Sequence, residues 1–271
     1  MDRELLRFVL GGDLAPDLLA VVLAWARVGP ALWIAPFLGG RTVPPVVRVG
    51  FSLTLAILLA PQLLPLVRPL FGAPTMFWLA LLVKEALVSA ALGFVVALVF
   101  LGAEAAGRLA DAVRGASLSE VWIPQLGRQS SPLGDFYFQF SVILFLSLGG
   151  HRIFVTALGA SYEVLPLAFF PGTQGLASFA WLSTRLTADL LLLALTLAAP
   201  VVAALLLADA ALGMVNRFVP QLGVTFLALP LKALLGIAVL VLALGLVAGA
   251  LPQAMDLGVR QVTSALQALG K

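Results

Sequence analysis

The sequence predicts an all-α membrane protein with about six apolar helical segments. This prediction is based on the composition and on long stretches without charged residues. Hydrophobic residues make up 62% of the 271 positions and charged residues only 11%. Soluble domains are closer to half apolar and a quarter charged. A soluble chain of this length leaves about a quarter of its surface exposed, and so few polar residues cannot cover it. Much of the surface must therefore contact lipid or other protein.

The apolar segments recur along the whole chain at lengths that suit a bilayer, which needs about 20 residues per span. Adjacent glycines weaken a helix interior, so Gly149 and Gly150 predict that the fourth segment is a broken helical pair. We expect one helical domain over residues 1–271. The predicted segments are residues 14–40, 49–67, 76–103, 136–170, 179–208 and 224–251.

The clearest charged residues inside apolar segments are Arg27, Lys84 and Glu85. Each costs about 2.5–3.5 kcal/mol on insertion scales and is therefore a candidate for function or assembly. Lys84 and Glu85 are sequence neighbours, and such neighbours do not face each other on a helix, so we expect each to have a partner elsewhere. The alternatives are an interhelical ion pair within the chain, contacts with other subunits, and a proton or ion relay.

Small residues recur at four-residue spacing on several predicted helices, which lets helix backbones approach each other closely. They predict a chain built for helix-on-helix packing. The spaced residues are Ser89, Gly93 and Ala97, then Gly102 and Ala106, and finally Gly245 and Gly249.

One long polar stretch, residues 104–135, separates the third and fourth apolar segments, and connections above about 15 residues are usually functional or disordered. Its glycines permit turns and its prolines interrupt helices. An apolar cluster at its centre predicts that the loop docks against other structure; a solvated connector is the alternative. The residues concerned are Gly107, Asp111, Gly115, Val121, Trp122, Ile123, Pro124, Gly127 and Pro132.

The sequence contains none of the motifs that identify a hydrolase, a nucleotide-binding site or a metalloprotease. We therefore expect no enzyme activity, no cofactor and no metal. The net charge of +3 comes from scattered basic residues without the clustered stripe that nucleic-acid binding needs. Basic residues fall almost equally on the two sides of the predicted spans, so the positive-inside rule gives no orientation.

Ordered groups of residues along residues 20–255 point to one family. The first groups are Arg27, Pro36, Pro44, Arg48, Pro61, Lys84-Glu85, Gly93-Phe94, Ala106-Gly107, Asp111, Gly115, Pro124, Gly127, Ser131-Pro132-Leu133-Gly134, Gly149-Gly150-His151 and Ser161-Tyr162-Glu163-Val164-Leu165-Pro166. The most specific are Ala199-Pro200, Ala208-Asp209, Leu212-Gly213, Asn216-Arg217, Pro220-Gln221-Leu222 and Pro230-Leu231-Lys232. Together they resemble the FliR/SctT component of flagellar and type III secretion export apparatuses, and more closely the injectisome branch, SctT. Gly223 departs from the family, which usually has Asn there.

The resemblance implies a structural, pore-forming subunit of a type III export gate, which passes unfolded proteins across the bacterial inner membrane. It implies helical hairpins packed with SctR- and SctS-like subunits, contacts with the export-gate and switch proteins, and a position displaced toward the periplasm. The loop at 104–135 corresponds to the family's plug. The residues we expect in assembly contacts are Arg27, Lys84, Glu85, Arg217, Pro220, Gln221 and Lys232.

A secondary transporter is the alternative function. Pro200 and Pro230 interrupt apolar segments near their middle, as in transporters with discontinuous helices. The chain shows no convincing internal repeat and no cluster of polar groups large enough for a substrate, so the export-gate subunit is the favoured prediction.

Overall fold

The structure is a computed structural model that describes residues 14–38, 43–115, 122–123, 128–129, 131–219 and 224–269. These residues are almost entirely helical, which confirms the predicted all-α fold class. The helices are α1 (Leu14–Ile34), α2 (Pro45–Val67), α3 (Thr75–Arg114), α4 (Pro132–Ser147), α5 (Gly150–Val164), α6 (Thr173–Phe218) and α7 (Val224–Leu269). Short 3-10 turns occupy Pro36–Leu38 and Arg68–Leu70. Two short strands, β1 (Trp122–Ile123) and β2 (Arg128–Gln129), pair antiparallel.

Four helices in the described part of the chain are long and apolar enough to cross a membrane: α1, α2, α3 and α6. The pair α4 and α5 forms a fifth candidate span, broken between Ser147 and Gly150. Gly149 lies at this break, with a φ of 75° that favours glycine. The predicted break is thus confirmed. The sixth predicted segment lies in α7, whose described apolar stretch is Pro230–Leu242.

The polar stretch at 104–135 differs from the prediction at both ends. Helix α3 continues to Arg114, and α4 begins at Pro132, so Gly107 and Asp111 lie in a helix and not in a loop. Polar residues ended the apolar run without ending the helix. The helix ends where Gly115 adopts a φ of 82°, as glycines do after a helix C-terminus. The connection between α3 and α4, residues 115–131, is called the central loop below.

Prolines begin two helices and lie inside others. Pro45 and Pro132 occupy the first turns of α2 and α4, where the missing N–H costs no helical hydrogen bond. Pro200 and Pro230 lie inside α6 and α7 without ending either helix. The prediction that these two prolines interrupt helical segments, which motivated the transporter alternative, is therefore wrong.

The chain forms two compact units, each with contributions from separate parts of the sequence. Unit 1 takes in the described residues of Met1–Ala97, Gly149–Thr184 and Gly258–Lys271. Unit 2 takes in those of Leu98–Leu148 and Arg185–Leu257. Segments distant in sequence thus pack together within each unit.

The core of unit 1 is formed by α1, α2 and the first part of α3, together with the residues that follow α5. Alanine and leucine at helical spacing dominate it, since small side chains alternating with large ones let the helices interlock. Its buried residues are Ala20, Leu23, Ala24, Ala56, Ala60, Leu63, Leu64, Val67, Leu81 and Leu167.

The predicted close approach of helices occurs at two glycines of α3. In unit 1 a Cβ at Gly93 would lie 2.7 Å from the carbonyl oxygen of Ala31 in α1. In unit 2 a Cβ at Gly102 would lie 3.2 Å from the side chain of Leu193 in α6. These contacts confirm the small-residue interpretation for α3. A Cβ at Gly245 or Gly249 would instead meet no described neighbour within 4 Å.

Candidate functional site

The buried charges of unit 1 form one cluster that joins α1 to α3. The Arg27 guanidinium pairs with both carboxylate oxygens of Glu85, with Nη2 donating to Oε1 at 2.9 Å and Nε donating to Oε2. Both side chains are fully buried. A bidentate pair of this kind provides hydrogen-bond partners for the guanidinium and the carboxylate at once. Both charges are therefore paired within the apolar interior of unit 1.

The same guanidinium also contacts the end of α5. Its Nη2 donates to the carbonyl oxygen of Leu165 at 2.9 Å, and its Nη1 donates to Ser161 Oγ at 3.4 Å. The ring of Tyr162 lies beneath the cation, 4.0 Å from ring centroid to Cζ, a geometry that stabilises a buried cation. Arg27 thus fixes α1, α3 and the end of α5 together.

Lys84 binds the backbone that connects α5 to α6. Its Nζ donates to the carbonyl oxygen of Leu167 at 2.8 Å, and to those of Pro166 and Phe169 at 3.2 Å each. This connection is not helical, so its carbonyl groups lack helical partners. In an apolar environment each unsatisfied carbonyl costs several kcal/mol. Lys84 therefore lets an irregular segment lie among apolar helices.

One expectation for this cluster is wrong and one is confirmed. Lys84 and Glu85 do contact each other, with 2.6 Å between Nζ and Oε1, because their long side chains reach across the 100° that separates helical neighbours. The interhelical ion pair, one of the three alternatives for Arg27 and Glu85, is present. Any role of these residues in assembly would act through the shape of unit 1, since the side chains are buried within it.

In unit 2 the carboxylate of Asp111 fastens the two ends of the central loop. Its Oδ2 accepts hydrogen bonds from Ser131 Oγ at 2.6 Å and from the backbone N–H of Leu133 at 2.9 Å. Its Oδ1 pairs with Arg114 at 2.7 Å. Ser131 in turn caps α4 by accepting a hydrogen bond from the Gly134 N–H at 3.1 Å. The last turn of α3 and the first turn of α4 are thereby joined.

Gly107 brings the two helices into direct backbone contact beside this anchor. A Cβ at position 107 would overlap the carbonyl group of Leu133. Only glycine fits, because the obstacle is backbone and cannot rotate away.

We therefore expect Gly107→Ala to destabilise the junction of α3 and α4 by about 1–3 kcal/mol, the usual cost of overpacking. The measurement is the thermal midpoint of the purified assembly. Gly159→Ala is the matched control, since a Cβ there meets nothing within 4 Å and alanine is the better helix former. Equal midpoints for the two variants would show that the close contact does not exist.

Lys232 of α7 has partners within unit 2. Its Nζ lies 2.6 Å from Asp209 Oδ1 of α6 and donates to the carbonyl oxygen of Val113 at 3.2 Å. The sequence indicated Lys232 as an assembly residue on resemblance alone. The structure gives it intrachain contacts to α3 and α6, and direct contact with another subunit stays a prediction.

The remaining predicted residues are placed as follows. Arg217 is exposed near the end of α6, where a partner can reach it. Trp122 and Ile123 form β1, whose backbone pairs with β2, and Pro132 opens α4. The predicted residues outside the described ranges are Val121, Pro124, Gly127, Pro220 and Gln221.

Several residues of these sites were not predicted as site residues. Asp209, the partner of Lys232, is the only charged residue between Asp189 and Arg217, a signal that should have marked it. Arg114 stood in a polar stretch without distinguishing features, and Ser131 was noted only as part of a family motif. The backbone carbonyl groups that Lys84 binds could not be predicted from the sequence, because every residue has one.

Comparison with known proteins gives a consistent result. A family described as "Bacterial export proteins, family 1" matches residues 18–257. The chain is 30% identical to the flagellar biosynthetic protein FliR of Bacillus subtilis over 235 residues, 87% of this chain and 88% of that one. It is 31% identical to the Yop proteins translocation protein T of Yersinia pestis over 229 residues, 83% and 85% of the two chains.

A third relative is the surface presentation of antigens protein SpaR of Shigella flexneri, 30% identical over 215 residues, 79% of this chain and 80% of that one. Flagellar and secretion proteins thus match at nearly equal identity, which is compatible with the predicted injectisome branch. The family covers most of the chain, including both charged clusters. This multi-pass helical membrane protein therefore belongs to the FliR/SctT family of bacterial export apparatus proteins.

Proposed function

We propose that the chain is a structural, pore-forming subunit of a type III export gate, through which unfolded proteins cross the bacterial inner membrane. The observation that carries this proposal is the exposed apolar face of α6. In the part of α6 that belongs to unit 2, large apolar side chains are exposed between Leu191 and Leu195 and again between Leu206 and Phe218, and exposed alanines at 199 and 203 connect the two groups. In the most apolar 18-residue stretch of α6, only 28% is buried within the chain.

This exposed face is longer than a bilayer is thick. Leu191 and Phe218 are 27 positions apart, a rise of about 40 Å along a helix. At an average tilt of about 20° the rise across the membrane is still about 38 Å, whereas the hydrocarbon core is about 30 Å thick. Lipid tails cannot cover the whole face, which supports coverage of part of it by other protein.

The partners we propose are the other small helical gate subunits, SctR- and SctS-like, together with the export-gate and switch proteins. The relatives' names connect them with flagellar biosynthesis and with Yop translocation, which supports a place for this chain in such an assembly. The resemblance to this family is the basis for the further proposal that the gate is displaced toward the periplasm.

Within the gate we propose that the central loop is the plug. A plug must return to the same position, and this requires that its ends be fixed. Asp111 supplies such a fixed base in unit 2, because it binds Ser131 and the Leu133 N–H from α3. All three groups are buried, so water does not compete for these hydrogen bonds.

The contacts of the charged cluster in unit 1 speak against a secondary transporter. Transporters keep intramembrane charges on a substrate or ion path. Arg27 and Glu85 are instead fully buried and bind each other, and Lys84 binds backbone carbonyls. These groups hold helices together.

Site-specific photo-crosslinking from α6 tests the proposed assembly. A photoreactive residue is placed at Leu191, Leu207 or Phe218 in cells that make the complete gate. We expect adducts with other gate subunits from at least one position. Leu205 is the matched control, since it is fully buried whereas Leu207 is 72% exposed. Protein adducts from none of the three exposed positions would contradict the proposal.

A further inference from the structure

We propose that Lys232 is a positioning residue that couples α6 and α7 to both ends of the central loop. Within unit 2, a continuous series of polar contacts leads from Asp209 through Lys232 to the end of α3, and from there through Asp111 to the start of α4. The inference rests on the proposed function only where it concerns leakage through the gate. The coupling itself can be measured without it.

The first link is an electrostatic contact at a helix end. Lys232 Nζ donates to the carbonyl oxygen of Val113 at 3.2 Å, and α3 ends at Arg114. The last four carbonyl groups of a helix have no helical donor, and the helix dipole makes this end attractive to cations. An ammonium group here satisfies a carbonyl that the helix leaves free, immediately before the central loop.

Asp209 fixes the direction of that ammonium group. The distance between Lys232 Nζ and Asp209 Oδ1 is 2.6 Å, and the lysine side chain is 12% exposed. A lysine side chain has four rotatable bonds and would otherwise sample many positions. The ion pair with α6 holds Nζ close to the end of α3, so both helices contribute to one contact.

The second link runs along the last turn of α3. Arg114 packs against α7, because a Cβ at Gly236 would lie 3.1 Å from Arg114 Cδ. The same arginine pairs with Asp111 Oδ1 at 2.7 Å. Asp111 Oδ2 then binds Ser131 and the Leu133 N–H. Helix α7 thus contacts the end of α3 at Val113 and Arg114. The same last turn contains Asp111, which binds the start of α4.

A displacement of α6 or α7 would therefore reach the base of the central loop through described contacts. Losing Lys232 removes the donor at Val113 and leaves Asp209 without this partner. The last turn of α3 then loosens, and the Asp111 hydrogen bonds to α4 open more often. We therefore expect faster hydrogen exchange at the Leu133 and Gly134 amides, which donate hydrogen bonds to the side chains of Asp111 and Ser131.

Hydrogen exchange of these two amides in the purified, assembled complex is the test. For Lys232→Met we expect exchange at Leu133 and Gly134 to rise by about tenfold, the factor for one charged hydrogen bond. Lys232→Arg keeps a donor and should remain within about threefold of the unsubstituted protein. Arg152→Met, which removes an exposed cation from unit 1, should change nothing at these amides.

The double variant Lys232→Asp with Asp209→Lys distinguishes the effect of the Val113 hydrogen bond from the effect of the ion pair alone. It restores opposite charges but leaves no donor at position 232 for the Val113 carbonyl. We expect fast exchange to persist, and full restoration would overturn the role of the carbonyl contact. If Lys232→Met assembles normally and exchange at Leu133 and Gly134 is unchanged, the proposed coupling is wrong. This conclusion does not depend on whether the gate leaks ions. Faster exchange without ion leakage would confirm the coupling and count against the plug.

Discussion

Replacing Glu85 with alanine is expected to remove most of the assembled protein from the membrane. The substitution leaves the Arg27 guanidinium buried without its carboxylate and deprives Lys84 of its acidic partner. Breaking one side of a buried ion pair costs about 3–5 kcal/mol, a large fraction of the stability of an ordinary domain. The measurement is the amount of protease-resistant chain recovered in detergent from cells that make the complete gate.

The matched control for Glu85 is an ion pair at the surface. Arg108 pairs with Glu104 at 2.7 Å, but half of the arginine side chain is exposed. Such pairs contribute about 0–1 kcal/mol, so Arg108→Ala should leave the recovered amount nearly unchanged. Equal recovery of the two variants would show that the cluster of Arg27, Lys84 and Glu85 does not hold unit 1 together.

Shortening the central loop is expected to make the assembled gate permeable to ions and small molecules. Deleting residues 116–127 leaves Asp111 and Ser131, which form the base of the loop, in place. If the loop fills the pore, closure depends on its packed side chains, since packed apolar groups exclude water and ions and a gap does not. The measurement is ion entry into cells, with assembly of the gate checked in parallel.

A connector without a plug role gives the opposite result after the same deletion. Loop length alone changes the closure free energy by only about 0.6 kcal/mol per halving, so a connector predicts an assembled, tight gate. A Gly/Ser segment of equal length in place of residues 116–127 is the control for length, and it should leak as the deletion does. Assembly without leakage in both variants would remove the plug role and leave the family assignment intact.

The sequence predicted the apolar elements well because hydropathy is a local property. The spans in α2, α3 and α6 follow from charge-free runs, and the span in α1 follows from an apolar run that contains Arg27. The break between α4 and α5 follows from adjacent glycines at 149 and 150. The need for partners at Arg27 and Glu85 also followed from the cost of a charge in an apolar segment. Their pairing across 58 positions is a tertiary contact, which local patterns do not encode.

The errors have a common cause in the use of hydropathy to locate the ends of helices. At Glu104 the apolar run stops, but small buried residues at Ala106 and Ala110 continue the helical face of α3. Gly107 was interpreted as a turn residue, whereas it permits contact between helices. Pro200 and Pro230 were interpreted as breaks, yet neighbouring groups in a long apolar helix accommodate a proline.

The mass of the complex that forms around the chain tests the central claim most directly. The chain is expressed alone and together with SctR- and SctS-like gate subunits, purified in detergent and measured by native mass spectrometry. We expect a complex of several different subunits when all are present, and an unstable, protease-sensitive chain when it is alone, because so much apolar surface of α6 is uncovered. A monodisperse, protease-resistant monomer that binds none of these subunits would contradict the assignment to an export gate.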